Sequence, residues 1–306
     1  MKRRKPHFSR RIGMIPGTII EDKRDDLPPV EMTLFRYNAN KAVRETLSGN
    51  SALTLRPEKE QVLWLDVSGV HDARLLKGVS ENFSVHPIVS EDIQHTIQRP
   101  KAEEYNGQLF FVLRMLSWDE AKKSVNSEQV SIVCGAGYVI SFQEHPGDVF
   151  DPVRRRITEG LGRVRQMGSD YLTYALADAV VDNYFLVLES LQEEFETLEE
   201  QVLFGNEGDP SERVHAMTGE LLSLRRAVWP MREAASALMR GQIPAVSGEV
   251  QLFFRDIYDH IVQIMDWVEL MRDSLKGLVD SYQTRVSNST NAVMRLLTIV
   301  ATIFIP

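Results

Sequence analysis

The chain contains very little cysteine: Cys134 is the only one among 306 residues. A framework of disulfides within the chain is therefore excluded, and this composition fits a reducing compartment. An excess of basic residues is also missing, because 35 lysines and arginines stand against 43 aspartates and glutamates, for a net charge of −8. Since binding to phosphates depends on cationic side chains, the sequence argues against a general nucleic-acid binder.

Recognisable enzyme motifs are absent as well. The histidines are scattered without a zinc-ligand spacing, and no glycine-rich phosphate loop is present. Glu91 and Asp92 form an acidic pair shortly after Pro87, which leaves a soluble metal-dependent hydrolase open as an alternative class. Nothing else in the sequence supports that class, and we predict that the chain is not an enzyme.

Long apolar runs are missing until the end of the chain. The residues after Asn291 read Ala-Val-Met-Arg-Leu-Leu-Thr-Ile-Val-Ala-Thr-Ile-Phe-Ile-Pro. A membrane-spanning helix needs about 20 mostly apolar residues, so this run is too short to cross a bilayer. We therefore expect a fragment: a soluble part followed by the first half of a transmembrane helix. The basic start, residues 1–7, precedes no apolar stretch and favours a cytoplasmic N-terminus.

The first half of the chain alternates between short β-rich runs and helical stretches. Buried strands are predicted at 61–67, 109–116, 129–134 and 137–142, and helices at 72–82 and 87–96. Strands interleaved with helices indicate an α/β layer architecture for residues 1–168.

The second half is predicted to be helical throughout. A first long helix covers 169–203, and a second covers 209–241, with Asp209 as its N-cap, Pro210 as its first residue and a kink at Pro230. These two form a helical hairpin, residues 169–248. The third helix covers 249–306 and is long enough for a bundle, a coiled coil or a stalk.

Two faces of the third helix carry polar residues in regular steps. Four aspartates spaced by seven positions form an acidic stripe, most simply a solvated surface: Asp259, Asp266, Asp273 and Asp280. A second face of this helix carries mostly small or polar side chains and continues into the apolar end of the chain. Its residues are Asp280, Thr284, Ser287, Asn291, Met294, Thr298, Ala301 and Ile305. Polar residues at membrane depth face a bundle interior or a water-filled path, although helix packing through small residues is the alternative. A symmetric ring of such helices could select cations.

Two pairs of carboxylates stand out on otherwise apolar helix surfaces. Asp178 and Asp182 lie one turn apart, and Asp256 and Asp259 are placed similarly. Carboxylates on an apolar stripe cost free energy unless they are solvated, paired or bound to a cation, and Mg²⁺ prefers oxygen ligands. Pairing with an arginine such as Arg255 is the alternative.

Several ordered segments resemble the CorA family of Mg²⁺/Co²⁺ transport proteins. They are Ser90-Glu-Asp-Ile-Gln with Gln98-Arg-Pro-Lys101, Glu128-Gln-Val-Ser-Ile, Ser141-Phe-Gln-Glu144, Gly147-Asp-Val-Phe-Asp-Pro-Val-Arg154, Phe254-Arg-Asp-Ile-Tyr-Asp-His260, Val286-Ser-Asn-Ser-Thr-Asn-Ala-Val-Met294 and Leu297-Thr-Ile-Val-Ala-Thr-Ile-Phe-Ile-Pro306. The matches span nearly the whole chain. The resemblance implies that the family's Gly-Met-Asn signature and second transmembrane helix would follow the last residue, so we expect the chain to stop before them.

The resemblance implies a homopentameric divalent-cation channel, held in the inner (plasma) membrane by its C-terminal helices, with the residues that precede those helices in the cytoplasm. It implies a mixed sheet flanked by helices in αβα layers, then a helical hairpin and a stalk helix that becomes the pore helix. Mg²⁺, bound between neighbouring subunits, would hold the pore closed, and Co²⁺ is a further ion. The family's regulatory positions fall on Asp92 and Asp256, with Glu91, Asp178 and Asp182 at a second site. The pore-lining positions fall on Asp280, Ser287, Asn291, Met294, Leu297, Thr298 and Ile305.

Two other interpretations stay open at this point. A Zn²⁺, Ni²⁺ or Co²⁺ transporter of the same superfamily is one, although the carboxylates favour Mg²⁺. A structural helical adaptor is the other, and it predicts oligomerisation that is indifferent to divalent ions.

Overall fold

The computed structural model describes residues 13, 15–21, 27–47, 51, 54–204 and 210–304. The strands are β1 (Glu31–Tyr37), β2 (Ala42–Leu47), β3 (Val62–Ser68), β4 (Lys101–Tyr105), β5 (Gln108–Asp119), β6 (Ser124–Gly135) and β7 (Tyr138–Gln143). The helices are α1 (Ala73–Asn82), α2 (Pro87–Gln94), α3 (Asp151–Glu159), α4 (Ser169–Phe204), α5 (Ser211–Met239) and α6 (Gly248–Phe304).

The strands form one mixed sheet in the order β2-β1-β3-β7-β6-β5-β4. β3 and β7 pair in parallel, and the other neighbouring strands pair antiparallel. Because successive side chains in a strand point to opposite faces, β3 contributes side chains to two separate hydrophobic cores. Val62 and Trp64 pack on one face, and Leu63, Leu65 and Val67 pack on the other.

Helices cover both faces of this sheet. Apolar residues of α1 and α2 complete the core on the face of Leu63, whereas α3, α4, α5 and α6 complete the core on the face of Trp64. The predicted fold class, a sheet between helical layers followed by long helices, is therefore confirmed.

The long helix α6 buries one narrow face along its first half. The buried residues recur in alternating steps of four and three, which keeps them on one side of a helix: Val250, Phe254, Ile257, Ile261, Ile264, Val268, Met271, Leu275 and Leu278. The partners of this face are α4 and α5. The aspartates of the acidic stripe lie on the exposed side, and beyond Leu278 most of α6 is exposed.

The four predicted strands and the two predicted short helices all exist, with slightly different ends. The helix α5 begins at Ser211, so the prediction that Pro210 is its first residue is wrong. Pro210 lies just before the helix, where its carbonyl accepts the first helical hydrogen bond, from the Val214 amide at 3.0 Å. Asp209, the predicted cap, lies outside the described residues. Pro230 lies within α5.

Candidate functional site

Three side chains that can bind a metal meet where α4 packs against α6. Asp178 and Asp182 lie one turn apart on α4, and His260 lies on α6. One ligand atom from each residue lies within 4.8 Å of the others. This spacing suits a divalent cation that keeps part of its water shell, as Mg²⁺ usually does. We call these three residues the α4–α6 site.

His260 fits the chemistry of such a site. Its Nδ1 is buried and has no hydrogen-bond partner among the described residues. The imidazole ring packs edge-on against Phe185, with 5.5 Å between the ring centroids, and Nε2 lies 4.0 Å from Oδ1 of Asp256. A buried nitrogen without a partner costs free energy, and a bound cation would remove that cost.

The pKa of Asp178 is raised to about 6, mainly by burial. The negative charges of Asp182 and Asp256 act in the same direction, while Arg156 and His260 oppose them. Asp182 lies at the exposed edge of the site, where partial desolvation is the first cause of its raised pKa. Within the part of the chain that the structure describes, no arginine or lysine forms an ion pair with Asp178 or Asp182. The site therefore concentrates negative charge, which favours a cation.

Asp92 lies on α2 in a different environment. Its Oδ1 accepts a hydrogen bond from Nε2 of Gln98 at 2.8 Å, and its Oδ2 pairs with Nζ of Lys101 at 2.9 Å. Its backbone carbonyl accepts a further hydrogen bond from the Gln129 side-chain amide at 2.9 Å. Both oxygens of this carboxylate are thus held by the same chain.

Lys101 is shared between two carboxylates. Its ammonium lies 2.5 Å from Oε2 of Glu103, which also accepts a hydrogen bond from the Tyr105 hydroxyl at 3.2 Å. Partial burial lowers the pKa of Lys101, but the hydrogen bonds to Glu103 and Asp92 outweigh it, and the net pKa is raised. The lysine is therefore charged at neutral pH. We call Asp92, Gln98, Lys101 and Glu103 the α2 site.

Glu91, the neighbour of Asp92, is held by a segment near the N-terminus. Residues 15–21 run along α2, and we call them the N-terminal strap. The amide of Gly17 donates to Oε2 of Glu91 at 2.6 Å. Gln94 forms two hydrogen bonds with the backbone of Ile20. Its Oε1 accepts from the Ile20 amide at 2.7 Å, and its Nε2 donates to the Ile20 carbonyl at 2.6 Å.

The two groups of predicted metal ligands are separate within one chain. The helix α2 packs on one face of the sheet, whereas α4 and α6 pack on the other. The structure brings Asp178 and Asp182 together and places Asp256 one turn from His260. His260 was not among the ligands predicted from the sequence; its four-residue spacing from Asp256 was the available signal.

The predicted pore-lining residues lie in the last part of α6. They are exposed and share one helix: Asp280, Ser287, Asn291, Met294, Leu297 and Thr298. Ile305 lies outside the described residues. The Thr298 hydroxyl donates to the Met294 carbonyl at 2.8 Å, so it is satisfied within the helix. In the ranges that the structure describes, none of the helices combines the length and apolar character that membrane crossing requires.

Known proteins share both the sequence and the fold. The model of the CorA-like Mg²⁺ transporter protein family matches residues 59–306. The cobalt/magnesium transport protein CorA of Thermotoga maritima is 41% identical over 303 residues, 98% of this chain and 85% of that protein. The putative metal ion transporter YfjQ of Bacillus subtilis is 32% identical over 79% of this chain and 74% of its own.

Solved structures agree on the architecture. The complete structure of the CorA magnesium transporter from Methanocaldococcus jannaschii aligns with a TM-score of 0.75 over 91% of this chain and 84% of that one. At 19% sequence identity, this likeness concerns the fold. Together with the family match over 59–306, it confirms the resemblance drawn from the sequence motifs. The chain belongs to the CorA-like Mg²⁺ transporter family.

Proposed function

We propose that this protein transports divalent cations, with Mg²⁺ as its main cargo and Co²⁺ as a second one. Membership of the family supports this function, as does 41% identity to a protein named for cobalt and magnesium transport. The role is transport and not catalysis. The observation that carries the proposal is the α4–α6 site, where two carboxylates and an imidazole lie within 4.8 Å of one another, and where neither carboxylate forms an ion pair with an arginine or lysine among the described residues.

Carboxylates of the α4–α6 site and of α2 also regulate the transporter in this proposal. Five copies of the chain form a ring, and a cation links Asp92 of one subunit to Asp256 of the next, with Glu91, Asp178 and Asp182 at a second position. Without a cation, the facing carboxylates repel one another and loosen the ring. A bound Mg²⁺ offsets that repulsion and holds the pore closed.

The exposed end of α6 forms the entrance of the pore in this proposal. The sheet and its helices (1–168) and the hairpin (169–248) lie in the cytoplasm, and the stalk helix (249–306) leads into the inner membrane. Asp280, Ser287, Asn291, Thr298 and Ile305 line the path. Met294 and Leu297 form an apolar constriction that gates by excluding water.

Thermal unfolding and native mass with and without millimolar Mg²⁺ test the proposed cation sites. A ligand at ten times its Kd stabilises the folded protein by about 1.4 kcal/mol, so we expect the Tm to rise by a few degrees. The double variant Asp178→Asn/Asp182→Asn should lose most of this rise. Asp266→Asn, on the exposed stripe of α6, is the matched control and should keep it.

A Mg²⁺ response that is undiminished in the double variant would show that the cation does not bind at the α4–α6 site. Asp256→Lys tests the link between subunits, because a fixed ammonium replaces part of the bound charge. This variant should resist proteolysis without Mg²⁺ as well as the wild type does with it. Protection that still depends on Mg²⁺ as in the wild type would remove Asp256 from the site.

The gate is tested by Met294→Asp in the protein reconstituted in vesicles. A carboxylate in the constriction keeps it hydrated, so we expect a leak of Mg²⁺ at least several-fold above the wild type. Ser289→Asp, on another side of the same exposed part of α6, is the control. Equal flux in Met294→Asp and the wild type would place the gate elsewhere.

His260 favours a second candidate cargo. Imidazole nitrogen suits Co²⁺, Ni²⁺ and Zn²⁺ better than Mg²⁺, which prefers oxygen ligands throughout. If these ions are the main cargo, Co²⁺ or Zn²⁺ should stabilise the protein at far lower concentrations than Mg²⁺, and His260→Ala should remove that advantage. Competition flux measurements in vesicles distinguish the cargo from a regulatory ion.

A further inference from the structure

The α2 site contains a positive charge, the ammonium of Lys101, that already neutralises Asp92. Lys101 pairs with Oδ2 of Asp92 at 2.9 Å, and both side chains are mostly shielded from solvent, with 22% and 16% of their areas exposed. Gln98 holds the other oxygen at 2.8 Å. A cation that binds this carboxylate must therefore compete with an ammonium already in place.

Lys101 also has a second carboxylate within reach. Glu103 lies 2.5 Å from the same ammonium, on the same strand β4, two residues further along. Residues two apart in a strand point to the same face, so one side chain serves both partners with little movement. The ammonium lies over the ring of Phe110, with Nζ 5.4 Å from the ring centroid, and this cation–π contact keeps it near both partners.

We propose that Lys101 is an internal competitor that sets the concentration at which a divalent cation binds Asp92. It holds Asp92 in the absence of the cation and pairs with Glu103 alone when the cation arrives. This inference rests on the proposed function, because it assigns a regulator to the cation site on α2.

The exchange discriminates by charge. A monovalent ion gains no more from Asp92 than the ammonium that it displaces, whereas a divalent ion gains about twice the Coulomb energy at the same distance. Because Lys101 keeps Glu103 as a partner, the ammonium is not left unpaired after it is displaced. Removing the competitor should therefore tighten binding, and removing its second partner should weaken it.

The experiment titrates Mg²⁺ into matched variants by isothermal titration calorimetry and takes the Mg²⁺ concentration at half-saturation as the midpoint. The Asp178→Asn/Asp182→Asn variant identifies the part of the signal that comes from the α4–α6 site. Lys101→Met keeps an unbranched apolar side chain but removes the charge, and we expect a midpoint about fivefold lower, equivalent to about 1 kcal/mol for a partly exposed ion pair. Glu103→Gln leaves Lys101 entirely to Asp92 and should raise the midpoint about threefold. Lys101→Arg keeps the charge and should stay near the wild type.

Lys77→Met is the matched control, because it breaks an exposed pair with Glu81 on α1 of the same domain. A double-mutant cycle assigns the effect to Asp92: in an Asp92→Asn background, Lys101→Met should no longer shift the midpoint. Glu103→Gln tests the same exchange in the opposite direction, so a poorly folded Lys101→Met does not end the experiment.

The outcomes separate the two claims. An unchanged midpoint in Lys101→Met and Glu103→Gln, beside a normal wild-type response, overturns the role of Lys101 and leaves the transporter assignment intact. A shift that persists in the Asp92→Asn background overturns it too, since Lys101 then acts at another site. A wild type without any Mg²⁺ response overturns the proposed cation sites and the competitor together.

Discussion

The α4–α6 site and the α2 site use the same ligand chemistry in opposite electrostatic states. At the α4–α6 site, Asp178 and Asp182 repel each other, and neither has a basic ion-pair partner among the described residues. At the α2 site, Asp92 is neutralised by Lys101 and hydrogen-bonded by Gln98. The contrast shows that an acidic side chain is not by itself a cation site: its neighbours decide how much a cation gains by binding there.

The first site is therefore destabilised without a cation, and the second is stable without one. A buried carboxylate without a partner costs free energy that only a proton or a cation can offset. An ion pair stabilises the carboxylate, but a divalent cation must then displace the ammonium, which requires a higher concentration of the cation. Three predictions test this difference, from the largest expected effect to the smallest.

The largest effect should come from pH. The pKa of Asp178 is raised to about 6, and a cation binds the ionised form. The stabilisation by Mg²⁺ should therefore shrink as the pH falls through about 6, with a loss of affinity approaching tenfold per unit below it. The rise in Tm with Mg²⁺, measured between pH 7.5 and 5, checks this.

Without divalent ions, the stability of the protein should depend on pH in the opposite direction. Since the folded state holds the proton on Asp178 more tightly than the unfolded state, this residue favours folding most at low pH and loses that effect as the pH rises through about 6. Asp178→Asn is the control that should remove both dependences. A Mg²⁺ response that is equal at pH 5 and 7.5 would argue against Asp178 as a ligand.

Neutralising substitutions should act with opposite signs at the two sites. At pH 7.5 in a chelator, Asp178→Asn removes a poorly solvated charge and should stabilise the protein by about 1 kcal/mol after allowance for solvent screening. Asp92→Asn leaves Lys101 with one partner fewer and should destabilise it by about 0.5–1 kcal/mol. Urea unfolding measures both, and effects of the same sign would contradict the contrast between the sites.

The smallest effect on global stability should concern the N-terminal strap beside the α2 site, because only local opening of the strap changes. Gly17 has a φ of +87°, and an added Cβ would lie 2.6 Å from Cβ of Pro87. Gly17→Ala should loosen the strap by about 1 kcal/mol, because the new side chain is strained and collides with α2. Hydrogen exchange at the Ile20 amide, which is bonded to Gln94, should become about fivefold faster.

Gly13→Ala is the matched control for this strain. Gly13 has a similar φ of +84°, but a Cβ there meets nothing within 4 Å among the described residues. The control should leave the exchange of the Ile20 amide unchanged. Equal acceleration in both variants would mean that backbone strain, and not contact with Pro87, controls the strap.

The parts of the fold that follow a side-chain pattern could be predicted from the sequence. The long third helix exists as predicted, and the four central runs of apolar residues are strands. The strands β1, β2 and β4 and the helix α3 had no individual prediction. β2 and β4 are edge strands with charged side chains, mostly exposed in β2 and mostly half-buried in β4. Backbone pairing with one neighbour holds them, which leaves no apolar signal.

The site divides in the same way. The spacing of Asp178 and Asp182 predicts that they share a helix face, because helical periodicity is local. His260 joins them only through the packing of α4 on α6, and no local pattern encodes that contact. Likewise, the ion pair between Asp92 and Lys101 joins a helix to a strand. The sequence therefore shows the motif Gln98–Lys101 but does not show that Lys101 pairs with Asp92.

The continuity of α6 has a mechanical consequence. The helix runs unbroken for 57 residues, from the sheet domain to its exposed end. Between His260 and Thr298 it rises about 57 Å, so a tilt of about one degree at the first residue moves the second by about 1 Å. A change too small to disturb the packing around His260 is thus amplified, as by a long lever arm, into a displacement comparable to the radius of an ion.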